Sequence, residues 1–151
     1  STPKPSSAAS DVYKRQFCMS IKIKRNELLN CNELNELLAT NDWDVHPIEK
    51  LDKCIKTSWG NICARNDKEE LIGYVRILSD GIRHAYICSL IVHPNYRKKG
   101  IGSSIIKELL NMLKEYKLYP TLVAGPNKKD YYKKFGFEIE SNGFTAMCIR
   151  K

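Results

Sequence analysis

The sequence predicts one α+β domain in which a mainly antiparallel sheet carries helices on its faces. Short apolar segments separated by turn-forming residues run from residue 61 to residue 93, a pattern typical of neighbouring antiparallel strands. Segments before and after them carry apolar residues three and four positions apart, as amphipathic helices do. The chain has 151 residues, 42% hydrophobic and 28% charged, which suits one folded domain and argues against a mainly disordered chain.

The first sixteen residues differ from the rest. Residues 1–16 are rich in Ser, Ala and Pro and show no apolar periodicity, which predicts a disordered or non-native tail. The string from Ser6 to Gln16 resembles the translation of a transposon-type sequencing adapter, and this would make the gene metagenomic. Residues 17–151 are then expected to form a single domain.

A short strand and two helices are predicted in the first part of the domain. Alternation at 21–24 suggests the strand. Asn32 is a suitable cap for a first helix whose leucines recur three and four positions apart. Pro47 opens a second helix with one apolar face, and Gly60 lies just past its end.

The remaining elements follow in order. Three strands are predicted at 61–65, 71–78 and 84–93, joined by turns that contain Asn, Asp and Gly. The rest of the chain then predicts, in sequence, a helix at 101–116, a strand at 121–124, a short helix at 127–134 capped by Asn127, and a closing hairpin at 137–140 and 145–150. The totals are four helices and about six to seven strands.

A basic loop with two glycines, Arg97-Lys98-Lys99-Gly100-Ile101-Gly102, joins the apolar strand to the long helix. The first amides of a helix lack intrahelical partners, the helix dipole favours negative charge there, and glycine permits close approach. The loop therefore predicts a phosphate cradle, although it is neither a Walker A loop nor a dinucleotide fingerprint. A solvated basic turn is the alternative on the loop alone. The net charge of +8 suits an anionic partner, which could be nucleic acid, an anionic membrane surface or a phosphorylated small molecule.

These residues resemble the GNAT-type N-acetyltransferases. Arg97, Gly100 and Gly102 match the family's motif A, (Arg/Gln)-x-x-Gly-x-(Gly/Ala) after an apolar strand, and residues 131–137 resemble its second motif, (Phe/Tyr)-Tyr-x-Lys-x-Gly-Phe. The resemblance runs from about Leu28 to the C-terminus. It implies a three-layer α/β/α fold whose mixed, mostly antiparallel sheet splays after strand four. It also implies direct transfer of an acetyl group from acetyl-CoA to a primary amine in a ternary complex.

The resemblance also implies roles for individual residues. Tyr132 matches the general acid, which leaves Tyr131 as a packing residue. Ser89 occupies a position that is often acidic or His in the family, where its hydroxyl is a poor base that could orient a water. Trp43, His46 and Tyr86 are expected at the acceptor site, with Tyr74 and Arg76 on central strands that can face the same cleft. The residues expected to bind acetyl-CoA are Leu90, Ile91, Val92, Arg97, Lys98, Lys99, Gly100, Ile101, Gly102, Ser103, Asn127 and Lys128.

Other partners and cofactors receive less support. The six cysteines are scattered without metal-type spacing, which predicts reduced thiols in a cytoplasmic protein and no metal. No run approaches the roughly 20 apolar residues of a membrane span. The basic residues are spread along the chain, so nucleic acid is not an expected partner. A non-catalytic acyl-CoA sensor remains the alternative function, a homodimer is a tendency of the family, and the acceptor amine stays open.

Overall fold

A computed structural model describes residues 20–139 and 142–149. Its five strands form one sheet in the order β1-β2-β3-β4-β5. The first four strands pair antiparallel, and β4 pairs parallel with β5. The strands are β1 (Lys22–Arg25), β2 (Gly60–Arg65), β3 (Leu71–Ser79), β4 (His84–Val92) and β5 (Tyr119–Leu122). This mixed, mainly antiparallel sheet confirms the predicted α+β class.

Four α-helices complete the described fold: α1 (Cys31–Ala39), α2 (Ile48–Thr57), α3 (Ile101–Glu115) and α4 (Lys129–Lys133). A 3₁₀ turn, Pro94–Tyr96, precedes α3. The cap of α1 differs from the prediction, because the side chain of Asn30 accepts from the amides of Asn32 and Glu33. Asn30 has the extended backbone that a cap requires, so Asn32 falls in the first turn.

The helices cover opposite faces of the sheet and produce three layers. Leucines of α1 and α2 pack with Cys63, Tyr74 and Ile91 on one face. The apolar stripe of α3, including Ile105 and Leu109, packs on the other face against Ile62, Val75 and Ile87 among others. Burial of both stripes supplies the main driving force for this arrangement, since apolar area removed from water contributes about 25 cal/mol per Å². The three-layer prediction is confirmed.

The C-terminal part departs from the prediction. The described residues 137–139 and 142–149 form no strand, so the closing hairpin is missing there and the sheet has five strands. Phe144, Met147 and Ile149 are 73%, 91% and 97% exposed, so these apolar side chains are not buried on the sheet. Residues 140, 141 and 150 of this hairpin, like the tail at 1–16, lie outside the described residues.

The short helix also differs in its bounds. It spans Lys129–Lys133 instead of 127–134, and Asn127 has φ of 61°, so this residue cannot serve as the extended N-cap that was predicted. Lys128 precedes the helix without a side-chain cap. In the described part of the chain, no helix combines the length and apolar character needed to cross a bilayer.

Candidate functional site

The last two strands of the sheet, β4 and β5, separate part-way along β4. β4 pairs with β5 only from His84 opposite Tyr119 to Ile87 opposite Leu122, yet β4 continues to Val92. Among the described residues, the stretch after Ile87 therefore has no strand beside it on the β5 side. This is the splay after strand four that was predicted, and it opens a cleft edged by exposed backbone groups.

A β-bulge bends β4 at the point where the cleft opens. Tyr74 pairs with Ile91 and Arg76 with Cys88, so Ser89 and Leu90 together oppose the single residue Val75. Ser89 has φ of 60°, in the left-handed region that non-glycine residues seldom adopt. Bulges of this kind redirect side chains and end regular pairing. The backbone at Ser89 and Leu90 is thereby turned out of the regular ladder.

The basic loop ends at α3 with a set of free amides. Gly100 precedes the helix with φ of 77°, and the first main-chain bond inside the turn runs from Ser104 N–H to Gly100 O, 3.0 Å. The amides from Lys98 to Ser103 have no hydrogen-bond acceptor in the part of the chain that the structure describes. Unpaired amides at the positive end of a 15-residue helix are suited to bind an anion.

The side chain of Arg97 turns away from these amides. Its guanidinium lies against the side chain of Asn41 and donates weakly to the carbonyl oxygen of Val92, 3.4 Å away. Asn41 Nδ2 approaches the same carbonyl at 3.4 Å. Arg97 thus ties the loop to the end of β4 and to the segment after α1, and the mobile positive charge of the loop comes from Lys98 and Lys99. Nothing in the sequence indicated this role of Asn41.

Gly102 is in close contact with the side chain of Tyr131. A Cβ built on Gly102 would lie 2.9 Å from the Tyr131 hydroxyl oxygen and 3.7 Å from a methyl group of Val92. The sequence assigned Tyr131 to packing, but the structure places its hydroxyl at the start of α3 and at the rim of the cleft. The ring also stacks edge-on against Tyr132 and Phe135, with centroid distances of 5.3 Å to each.

Tyr132 occupies a different environment. It lines a cavity of about 640 Å³ between β5, α4 and the segment that follows α4. Its ring packs against Phe137 with the centroids 5.9 Å apart. Burial raises the pKa of the Tyr132 phenol, and the neighbouring Tyr131 raises it further. The phenol is therefore protonated near neutrality and can donate a proton or a hydrogen bond.

The expected acceptor residues are not gathered at one point. Trp43 and His46 are exposed in the loop between α1 and α2, where Asn35 bonds to the His46 backbone. Tyr86 is 42% exposed near the beginning of β4, whereas Asn41 of the loop lies beside the end of that strand. Asn127 and Lys128 are exposed in the connection from β5 to α4.

Comparison with known proteins identifies the family. A sequence model described as the acetyltransferase (GNAT) family matches residues 27–137. The chain belongs to this family. It is therefore an acetyltransferase, and the loop at 97–102 and residues 131–137 lie within the matched range. An uncharacterized N-acetyltransferase from Pyropia yezoensis is 29% identical over 131 residues, 84% of this chain and 75% of that protein.

Solved structures agree with this assignment. A GNAT-family acetyltransferase from Streptococcus pneumoniae is 29% identical, with a TM-score of 0.71 over 87% of this chain and 98% of that one. A GNAT-family N-acetyltransferase from Escherichia coli, solved in complex with CoA, is 18% identical and has a TM-score of 0.63 over 80% of this chain and 70% of that one. The second comparison is a likeness of fold.

Proposed function

We propose that this GNAT protein transfers an acetyl group from acetyl-CoA to a primary amine, by direct transfer within a ternary complex. One observation carries the proposal: the free amides from Lys98 to Ser103 lie at the start of α3, next to a strand edge that opens at a bulge. Amides without acceptors suit a pyrophosphate, and an exposed strand edge suits an extended arm that contains amides.

The residues around the loop fit a polyanionic donor. Lys98 and Lys99 are exposed beside the free amides, and Gly102 leaves a space next to Tyr131 and Val92 that any side chain would fill. The opened edge at Leu90, Ile91 and Val92 would pair with the pantetheine arm. Asn127 and Lys128 would flank the donor from the far side. We therefore assign the pyrophosphate to the backbone of the loop and the arm to β4.

The reaction needs little chemistry from side chains. The amine nitrogen attacks the thioester carbonyl, so that a C–N bond forms while the C–S bond breaks. Negative charge that develops on the carbonyl oxygen would be stabilised by an amide near Leu90. The amine loses one proton, and the departing thiolate gains one from the hydroxyl of Tyr132. The products are an amide and CoA with a free thiol.

The bulge itself offers a weak base. The hydroxyl of Ser89 would orient a water molecule, and this water would remove the proton of the amine. Of the histidines, His46 and His84 are exposed, and His93 uses Nδ1 to accept from the Asn95 amide at 3.1 Å. The amine would therefore enter neutral or release its proton to water.

The same features allow an alternative, a GNAT protein that binds acyl-CoA as a sensor without transfer. The weak base at Ser89 is the observation that favours it. The proposed enzyme works on acetyl-CoA and an amine, without a metal, nucleic acid or membrane, and a cytoplasmic setting agrees with the free thiols of the five described cysteines. A homodimer is expected from the family.

Two measurements separate these functions. Calorimetry with acetyl-CoA tests donor binding, and release of the CoA thiol with a panel of small amines tests transfer. Binding with amine-dependent thiol release supports the enzyme. Binding without release for every amine supports the sensor, and absence of binding contradicts both functions.

A further inference from the structure

Arg76 lies next to the bulge and has no anionic partner among the described residues. It belongs to β3 and pairs with Cys88 of β4, immediately before Ser89. Its guanidinium contacts the sulfur of Cys54 on α2. Its Nε is buried and has no hydrogen-bond acceptor among the described residues. A thiol satisfies a half-buried guanidinium poorly, because sulfur is a weak acceptor.

Other partly buried arginines are paired with carboxylates. Arg65 contacts Glu27 and Glu33, at 2.7 and 2.6 Å. Arg25 contacts Glu115 at 2.7 Å and Glu108 at 2.5 Å. In residues 20–139 and 142–149, no carboxylate forms such a pair with Arg76. Removing a charge from water is costly unless a partner compensates it, so Arg76 is the position where the described fold lacks an anion.

The guanidinium remains charged in this place. Burial lowers the pKa of Arg76, but the neighbouring Cys88, Cys54 and Tyr74 outweigh this effect and the net pKa is raised above its ordinary value. Arginine is in any case protonated throughout the range in which proteins are stable. The site therefore presents a fixed positive charge whose Nε has no acceptor among the described residues, and a guanidinium matches a carboxylate in shape and charge.

Arg76 also marks the limit of helix coverage on its face of the sheet. Tyr74, two residues earlier on the same face, is buried under α1 and α2. Leu78, two residues later, is 37% exposed, and Tyr86 opposite it is 42% exposed. The face is thus open on one side of Arg76 and covered on the other. Arg76 therefore lies at the boundary between the covered and the open part of this face, directly before the bulge on β4.

We infer that Arg76 binds a carboxylate of the acceptor, and that the acceptor is a small amino acid whose amine lies a few bonds from that carboxylate. The inference rests on the proposed acetyl transfer and specifies its substrate class. Leu90, where the acetyl carbonyl would be polarised, is two residues beyond Cys88 on β4, a span of at most about 7 Å. A carboxylate at Arg76 would place a nearby amine next to the bulge. A free amino acid is favoured over a polypeptide because the fork is half-buried.

The test compares matched acceptors in the acetyl-transfer assay. Glycine is paired with glycinamide and β-alanine with β-alaninamide, and each rate is expressed per neutral amine so that the different amine pKa values cancel. We expect kcat/KM to be higher for the acid by roughly 10- to 100-fold, as for a hydrogen bond to a charged group. Arg76→Gln should remove that ratio, chiefly through KM. Arg76→Lys should restore part of it, because the charge remains without the fork.

Control variants and a peptide complete the design. Arg83→Gln makes the same change at an exposed position on the turn before β4 and should keep the ratio. Circular dichroism would show whether Arg76→Gln folds. If it does not, the acid-to-amide ratio of kcat/KM in wild type and in Arg76→Lys still tests the inference. Equal kcat/KM for acid and amide, an undiminished ratio in Arg76→Gln, or transfer to an Asp-Ala-Ala peptide but to no free amino acid would each overturn the inference. Loss of acetyl transfer to every amine would instead contradict the proposed function itself.

Discussion

The hydroxyl of Tyr131 and the Cα of Gly102 face each other at the entrance of the cleft, so closely that a Cβ on Gly102 would lie 2.9 Å from the hydroxyl oxygen. This contact joins the second sequence motif to the start of α3. A larger residue at this position would have to displace the Tyr131 side chain. The space in front of the free amides is kept open by a missing side chain.

We predict that Gly102→Val removes most of the affinity for acetyl-CoA while the protein stays folded. The branched side chain would displace Tyr131 and block approach to the amides. Calorimetry on the folded variant should show at least about a tenfold loss, or 1.4 kcal/mol.

Gly125→Ala is the matched control for this prediction, because the nearest atom to its new Cβ would be Lys128 Cγ at 4.0 Å. It should bind acetyl-CoA with nearly wild-type affinity. Near-wild-type binding by Gly102→Val would contradict the assignment of the loop as the pyrophosphate site.

We predict an acid-dependent loss of stability that involves Glu33. The hydrogen bond from Arg65 lowers the pKa of this carboxyl below its ordinary value of 4.5 and outweighs the opposing effect of burial. A depressed folded-state pKa gives stability that is present above the unfolded pKa and disappears as pH falls through the folded one. Thermal unfolding from pH 6 to pH 2 should therefore show a shallower decline of Tm for Glu33→Gln than for wild type.

Glu36→Gln provides the comparison, since Glu36 is exposed on the same helix and belongs to no ion pair among the described residues. Its Tm should follow the wild-type curve. Identical curves for wild type and Glu33→Gln would show that the contact with Arg65 does not contribute to acid sensitivity.

We predict that kcat/KM rises with pH toward the pKa of the acceptor amine, without a separate inflection near the histidine value of about 6.5. The reason is that the hydroxyl of Ser89 does not titrate in this range, and Nδ1 of His93 already accepts a hydrogen bond from the Asn95 amide. Rates should be measured with two amines of different pKa, and the inflection should move with the amine. An inflection fixed near pH 6.5 would instead identify a histidine base, and His84→Asn tests whether it is His84.

Most elements that position the site could be predicted from local pattern. The strand to Val92, the loop and the apolar face of α3 are all evident in the order of residues, because periodicity and glycine placement are local properties. The cap at Asn30 could not be predicted, because the choice between neighbouring capping residues depends on the rest of the fold. The absence of the closing hairpin from the described residues could not be predicted either, because strand pairing depends on the rest of the fold.

Two features of the site needed three-dimensional contacts. Arg76 was recognisable as a residue on a central strand, but its lack of a carboxylate partner is a property of the surrounding fold. Tyr131 and Tyr132 are adjacent in sequence, and only helix orientation determines which hydroxyl reaches the loop. The splay after strand four was expected from the family, whereas the bulge at Ser89 emerged from the pairing of β3 with β4.

We predict that removal of the Tyr132 hydroxyl slows the acetyl-transfer step. Tyr132→Phe keeps the ring and its packing against Phe137 but removes the hydroxyl. Because thiolate is a fair leaving group, protonation assists its departure without being obligatory, so we expect the lower end of the effect of general acids, about 10- to 100-fold in kcat. Acetyl-CoA affinity should change little, as for an interaction made mainly in the transition state. Single-turnover measurement ensures that chemistry is the step observed.

Tyr131→Phe is the matched variant, and the structure makes its outcome informative. Its hydroxyl lies at Gly102, beside the amides assigned to the pyrophosphate, so its removal should alter acetyl-CoA affinity by a few fold while kcat stays near wild type. A larger loss of kcat in Tyr131→Phe than in Tyr132→Phe would transfer the acid role to Tyr131. Full single-turnover rates in both variants would mean that neither phenol protonates the thiolate, and that the sulfur leaves as an anion stabilised by its surroundings.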